Sequence, residues 1–410
     1  MVIFGTWNGK TLSLSSKPNS LTISLQRQTA SQVYSFDGEG RLWTAMLENI
    51  SYRRGLNGKT VAKWQISDNS PASAGRDRRW LSEDESARLE EHSRLIAQDL
   101  QTSLQANQIS LEDPLPDAAS VMLGRAVRFD QGRYQNDVQA YHQVYRPVGI
   151  LPPDQYMAVV LQATEGCSFN TCTFCNFYRD RRFRIKTTDE FRHHSRSVKQ
   201  FLGEGLLLRR TIFLGDANAL VIPMPRLVEI LNVTREEFDI ERLGGIFAFL
   251  DGFSGEKKTV QDYAVLARLG LKRIYIGMES GSEELLRFLK KPGRPEDVIN
   301  AVQAIKRGGI SVGLIVLLGA GGHFYSPIHT RETIAALNAM PLDLDDLIYF
   351  SELIESEGME YTRDAFRQDL RPLSAAQRID QGNEIENGLK FSRKSGIPHI
   401  SRYDIREFVY

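Results

Sequence analysis

A chain of 410 residues is long enough for two or three domains of about 150 residues each. Hydrophobic residues make up 41% and charged residues 25%, which excludes a fibrous or largely disordered protein. Lys plus Arg and Asp plus Glu both total 51, so no long-range field draws the chain to nucleic acid, the least supported partner, or to an anionic membrane. The first thirty residues pair no positive segment with an apolar one of signal-peptide length. The strongest apolar runs, such as residues 313–320, fall far short of the roughly 20 needed to cross a bilayer. A cytoplasmic protein with no membrane partner is expected.

Residues 1 to about 70 read as short strands and turns. Asn8-Gly9, Asp37-Gly38 and Asn57-Gly58 are hairpin-type dipeptides between β-prone runs such as LWTAMLENISY and TVAKWQI. Residues 67–76 are mostly small and polar and read as a linker. A helix with a capping box follows, Ser82 with Glu85, and LEDPLPDAAS (111–120) reads as a loop. Residues 125–153 carry no clear pattern.

From Met157 the rhythm becomes strand, loop, helix. The strand-like runs are MAVVLQA, TIFLG at 211, GIFAFL at 245, RIYIGM at 273, ISVGLIVLLG at 310 and LIYFSELI at 347. The clearest helix is PEDVINAVQAIKR. Val298, Ala301, Val302 and Ile305 keep one face apolar, Pro295, Glu296 and Asp297 suit its start, Lys306 and Arg307 its end, and Gly308 stops it. Ser282 opens EELLRFLKK, and Ser374 with Gln377 opens a C-terminal helix. Six βα units in succession predict an α/β fold. Being fewer than the eight of a closed barrel, they predict a partial (β/α)6 TIM-like barrel. The expected organisation is a β-rich then helical region over residues 1–150, the barrel over 151–355 and a helical extension covering it over 356–410.

The chain has three cysteines, Cys167, Cys172 and Cys175, clustered in CSFNTCTFC. A disulfide framework calls for an even, dispersed set, so a shared metal centre is the physical candidate. The loop follows the first barrel strand, where α/β folds place their chemistry. Three thiolates can hold three corners of a [4Fe–4S] cubane, leaving one iron open to another ligand. A zinc site of three cysteines and a histidine, a ferredoxin-like electron carrier and unliganded buried thiols remain as alternatives.

The cysteine loop resembles that of the radical S-adenosylmethionine (SAM) enzymes. Their usual C-x3-C-x2-C carries an aromatic before the third cysteine, here Phe174, and this chain departs by one residue with C-x4-C-x2-C. The segment from IYIGMESGSEELLRFLKK to GLIVLLGAGG is similar to the branch holding oxygen-independent coproporphyrinogen oxidases, methylthiotransferases and Elongator-type enzymes. The resemblance spans roughly residues 155–355. It implies a cluster whose open iron is chelated by the amino and carboxylate groups of SAM, and reductive cleavage of SAM to methionine and a 5′-deoxyadenosyl radical that abstracts hydrogen from substrate. It implies that Gly215 and Asp216, in FLGDAN, meet the methionyl amino group, that Glu279 in Met278-Glu279-Ser280 accepts from the ribose hydroxyls, and that residues 312–318 form an adenine wall or barrel core. It implies a flavodoxin or ferredoxin as electron donor; the substrate is left open.

Weaker signals accompany these. GAGGHF fails the dinucleotide-binding pattern because Phe324 stands where Gly or Ala is needed. Its glycines read as a loop letting backbone approach SAM or substrate, with His323 and Tyr325 on the rim. His193 and His194 read as solvated. YRDRRFRIK (178–186) reads as a solvated charged loop or as a contact surface for an anionic partner. With no further cysteine there is no ligand for an auxiliary cluster. The rival from another class is a noncatalytic iron–sulfur or zinc protein that carries electrons or scaffolds a complex.

Overall fold

The computed structural model describes residues 1–27, 30–65, 76–253, 258–355, 358–391 and 396–410, so the expected linker at 67–76 lies, but for Arg76, outside the described residues. The chain forms two compact units: Met1–Pro147 with Arg196–Arg210 and Glu407–Tyr410, and Val148–Ser195 with Thr211–Arg406. Among the described residues no helix is long and apolar enough to cross a membrane.

The first unit is an antiparallel meander: β1 (Val2–Trp7), β2 (Lys10–Lys17), β3 (Ser20–Arg27), β4 (Ala30–Asp37), β5 (Leu42–Leu47), β6 (Ile50–Arg54), β7 (Thr60–Gln65) and β8 (Arg76–Trp80). Helix α1 (Glu83–Gln105), the short β9 (Ser110–Leu111), α2 (Asp117–Arg128) and α3 (Gln131–Val144) follow. The sheet order is β8-β7-β6-β5-β4-β3-β2-β1-β9. Asn8 and Gly9 take φ of 50° and 68°, as a two-residue hairpin turn requires. Glu48 and Asn49 do the same, which splits LWTAMLENISY into β5 and β6; neither residue is a glycine, so the turn carried no glycine signal. The strands alternate: Leu12 and Leu14, then Leu21, Ile23 and Leu25, then Tyr34 and Phe36 face a core closed by Leu89, Ala97 and Leu100 of α1 and Met122, Leu123 and Ala126 of α2. The capping box at Ser82 and Glu85 forms, and the stretch expected as a loop to residue 120 is already helical from Asp117. Buried Arg41 meets Asp37 and Asp137 at 3.3 and 2.8 Å and donates to the Phe201 and Leu202 carbonyls, the orphan acceptors of a helix end.

The second unit carries β10 (Ala158–Gln162), β11 (Thr164–Glu165), β12 (Arg184–Ile185), α4 (Thr188–Leu202), β13 (Thr211–Gly215), α5 (Met224–Glu237), β14 (Ile246–Phe249), α6 (Val260–Arg268), β15 (Leu271–Glu279), α7 (Glu283–Phe288), α8 (Pro295–Arg307), β16 (Ser311–Leu318), α9 (Gly322–Asn338), β17 (Leu347–Glu352), α10 (Glu360–Arg367), α11 (Ala375–Gly388) and β18 (His399–Tyr403). Helix α4 begins in this unit and ends in the first. The strands form a parallel sheet in the order β10-β13-β14-β15-β16-β17-β18. It is the α/β, partial-barrel arrangement of six strands expected, with β18 from the C-terminal extension added as a seventh beside β17. All five residues of β10 are buried, as a parallel strand covered on both faces demands. Helix α8 starts at Pro295, with Asp297 accepting from the Arg294 N–H at 3.0 Å, and stops at Gly308. Ser282 stands at the N-cap of α7, but its hydroxyl makes no capping bond.

Candidate metal centre

The cysteine loop leaves β10 and is closed at its base by a two-stranded ribbon, Thr164 opposite Ile185 and Glu165 opposite Arg184. Gly166 turns the chain with φ of 80°. Within the loop the Asn170 N–H reaches the Cys167 Sγ at 3.4 Å and Asn170 Nδ2 donates to the Tyr178 carbonyl at 2.9 Å. Arg179 donates to the carbonyls of Cys172 (2.8 Å) and Cys175 (3.3 Å). Neighbouring segments grip the same loop: the Thr173 N–H donates to the Leu289 carbonyl at 3.0 Å, and the Tyr361 N–H to the Thr173 carbonyl at 3.0 Å.

Asp216 is the main anchor of the loop's first turn. Its carboxylate accepts from the Gly166 N–H at 2.9 Å, Gln162 Nε2 at 2.7 Å and Arg181 Nη1 at 3.5 Å, and its own N–H donates to Thr164 Oγ1 at 2.9 Å. Burial raises the Asp216 pKa, against the pull of the Gly166 N–H, Gln162 and Arg181. Gly215 and Asp216, expected beside the ligand's amino group, do not line the cavity described next; Ala217 and Asn218 do.

That cavity holds about 390 Å³ and is lined by all three cysteines together with Phe174, Asn218, Asp251, Glu279 and Lys291. Apolar walls come from Phe169, Phe177, Phe249, Phe253, Leu353 and Met359. On β16, Ile315 and Leu317 face the cavity, while Val312, Leu314, Val316 and Leu318 are buried away from it, so the expected wall is every second residue. Burial pushes the Cys172 thiol up and the Cys175 thiol up to about 11; Glu279 and Cys167 raise Cys172 further, and Cys172 and Cys167 raise Cys175. Three adjacent thiolates therefore need a cation to be stable as anions, which a metal centre supplies. N–H donors already point at two sulfurs, Asn170 at Cys167 and Phe177 at Cys175, as sulfur ligands of iron–sulfur clusters accept them. Among the described residues no three His, Cys, Asp or Glu groups are drawn tightly enough around one point to hold a single metal ion. Three cysteines line one cavity with N–H donors at two of their sulfurs, and in these respects the residues fit the expected cubane.

Glu279 ends β15 at a register shift after Gly277 and takes φ of 59°, a left-handed conformation uncommon outside glycine. A Cβ on Gly277 would lie 2.4 Å from Glu279 Oε1, so glycine leaves that side chain its place. Lys291 Nζ stands 3.3 Å from Glu279 Oε1. Burial raises the Glu279 pKa, and Lys291 opposes the rise. Ser280 is buried away from the cavity, its Oγ 2.7 Å from His329 Nδ1. Asn218 reaches both Ser168 Oγ (3.2 Å) and Asp251 Oδ2 (2.5 Å), tying the cysteine loop to the ends of β13 and β14. Asn218, Asp251 and Lys291 were not singled out from sequence; their only signal is position, each just past a strand or helix end.

Other expectations need correction. His194 is buried, not solvated, and its Nε2 accepts from the Gln162 N–H at 2.9 Å; His193 is exposed. In the 178–186 segment Arg179, Asp180, Arg182 and Arg184 are exposed, as a solvated charged loop would be, but Tyr178 and Lys186 are buried, Arg181 meets Asp216 and Lys186 donates to the Gln162 carbonyl at 2.8 Å. The glycines of GAGGHF accommodate the chain itself, since a Cβ on Gly322 would lie 2.2 Å from the Arg371 carbonyl oxygen. Tyr325 is buried and stacks on Phe288 at 5.3 Å, while His323 is exposed.

Solved structures similar to this chain include methylornithine synthase (17% identity, 58% of this chain and 63% of that one, TM-score 0.39). Coproporphyrinogen III oxidase from Escherichia coli is similar at 13% identity over 60% of this chain and 54% of that one, TM-score 0.42. S-adenosylmethionine-bound SuiB from Streptococcus suis is similar at 11% identity over 87% and 72%, TM-score 0.40. The chain spans less than two thirds of the length of the first two. No curated protein matches the sequence. The sequence model of the Radical SAM superfamily matches residues 161–335, from β10 through the cysteine loop to α9. Most of the residues lining this cavity, the three cysteines included, lie in the matched segment, and this part of the chain is similar to the radical SAM superfamily, whose members use a [4Fe–4S] cluster and S-adenosylmethionine.

Proposed function

We propose that the protein is a radical SAM enzyme in which Cys167, Cys172 and Cys175 ligate three irons of a [4Fe–4S] cluster and the fourth iron binds SAM. The observation that carries this reading is that all three cysteines of the chain line one cavity with Glu279, inside the segment matched by the superfamily. When bound, the cluster supplies the electron that cleaves SAM to methionine and a 5′-deoxyadenosyl radical, which abstracts hydrogen from a substrate still to be identified.

The chain's own residues bind and orient. Glu279 accepts from the ribose hydroxyls, and Phe174, Ile315 and Leu317 give the nucleoside apolar walls and exclude water. Asp216 holds the Gly166 turn that delivers Cys167, while Asn218 and Asp251, on the cavity itself, offer the acceptors an ammonium group needs. A flavodoxin or ferredoxin supplies the electron, and the reducing cytoplasm suits a cluster with an exposed iron.

Anaerobic reconstitution with iron and sulfide tests the reading. It predicts about four irons per chain, 5′-deoxyadenosine from SAM under dithionite, and loss of iron in Cys172→Ala. Zinc in place of iron, or a full cluster that never cleaves SAM, would favour an electron-carrying or scaffold protein instead.

A further inference from the structure

Two consecutive lysines after α7 part company. Lys290 has φ of 51°, and its ammonium pairs with Glu360 and Asp364 at 2.5 and 3.3 Å on the outside. Lys291 turns inward: its side chain is 12% exposed, with Nζ 3.3 Å from Glu279 and 5.9 Å from the centre of the Phe253 ring. The turn that carries it is stitched to both neighbours of Cys172. Thr173 donates to the Leu289 carbonyl through N–H (3.0 Å) and Oγ1 (3.3 Å), and Thr171 Oγ1 donates to the Lys290 carbonyl at 3.2 Å. Lys291 is the leading charge opposing the rise that burial gives the Cys172 thiol, and Glu279 and Cys172 are the leading charges that keep Lys291 protonated against its own burial.

An ammonium largely buried against an apolar lining interacts far more strongly than one at the surface. Reduction of the cluster, [4Fe–4S]2+ + e− → [4Fe–4S]+, would add one negative charge within the cavity that Lys291 lines. A cation there stabilises the reduced form, and the Glu279 carboxylate offsets part of that effect.

We propose that Lys291 is a positioning residue whose ammonium, shared between Glu279 and the Cys172 side of the cluster, sets the cluster's reduction potential and links it to the carboxylate that meets the nucleoside. The inference rests on the proposed cluster and adds to it a tuning charge.

Anaerobic redox titration of the reconstituted protein, followed by the EPR signal of the reduced cluster with iron counted in each sample, tests it. Lys291→Met is expected to make reduction at least about tenfold less favourable, about 59 mV more negative for a one-electron couple. Lys291→Arg should titrate with the wild type, and Glu279→Gln should move the midpoint in the positive direction. If the wild-type protein takes up no cluster, the parent reading fails. If it does, and Lys291→Met with its full iron titrates at the wild-type midpoint, only the role of Lys291 is overturned. Should Lys291→Met lose its iron, Lys291→Gln decides, a negative shift supporting the proposal and the wild-type midpoint refuting it.

Discussion

Asp216→Asn separates a residue that holds the cysteine loop from one that meets the ligand. The carboxylate takes donors from Gly166, Gln162 and Arg181 at 2.9, 2.7 and 3.5 Å. An asparagine keeps one oxygen for the Gly166 N–H and Arg181, and its amide can donate to Gln162 once that side chain is flipped. The shape survives and the charge is lost, so charge-assisted bonds become neutral ones at a cost of about 2 kcal/mol. If the loop opens locally, that cost equals about 30-fold faster amide exchange, at tenfold per 1.4 kcal/mol. Hydrogen–deuterium exchange of the metal-free protein, followed by mass spectrometry of peptides spanning residues 163–185, reads it directly. The account predicts faster exchange concentrated at Gly166 and its neighbours. Unchanged exchange together with lost SAM affinity would refute it and return Asp216 to the ligand.

His329 is fully buried beside Ser280 and Thr333, and burial lowers its pKa to about 4 from 6.5. The unfolded chain takes up a proton below pH 6.5 that folded His329 accepts only near pH 4, so stability should fall by about 3 kcal/mol as pH drops across that window. Urea unfolding from pH 7 to 4 should show this slope in the wild type and a flatter one in His329→Gln; equal slopes would exclude His329 as the cause. Arg41→Ala leaves Asp37 and Asp137 buried without their cation and should lower unfolding stability by about 3–5 kcal/mol. A thermal midpoint equal to that of the wild type would show that the buried cluster tolerates the loss.

The barrel strands were readable because parallel strands buried on both faces need near-continuous apolar runs, and AVVLQ and SVGLIVLL are such runs. The cysteines were readable because their partner is shared, so their spacing is itself a signal. Which polar residue faces the cavity was not. FLGDAN offers Asp216 and Asn218 two residues apart, and only the folded loop gives the first to Gly166 and the second to Ser168 and Asp251. Lys291 was hidden for a related reason: in LKKPG both lysines suit a helix end, and a left-handed residue at Lys290 turns one outward and the other inward. His194 sits in a polar helical stretch, and its partner is a strand amide brought near by the fold rather than by sequence. The Glu48-Asn49 turn escaped because residues without a glycine signal took left-handed conformations.

The central claim is that these three thiols hold a cluster with one iron free to take SAM. EPR of the anaerobically reconstituted, dithionite-reduced protein, recorded with and without SAM, tests it most directly. The account predicts a [4Fe–4S]+ signal whose shape changes when SAM is added and which is absent from Cys172→Ala; a reduced cluster whose spectrum is the same with and without SAM would contradict it.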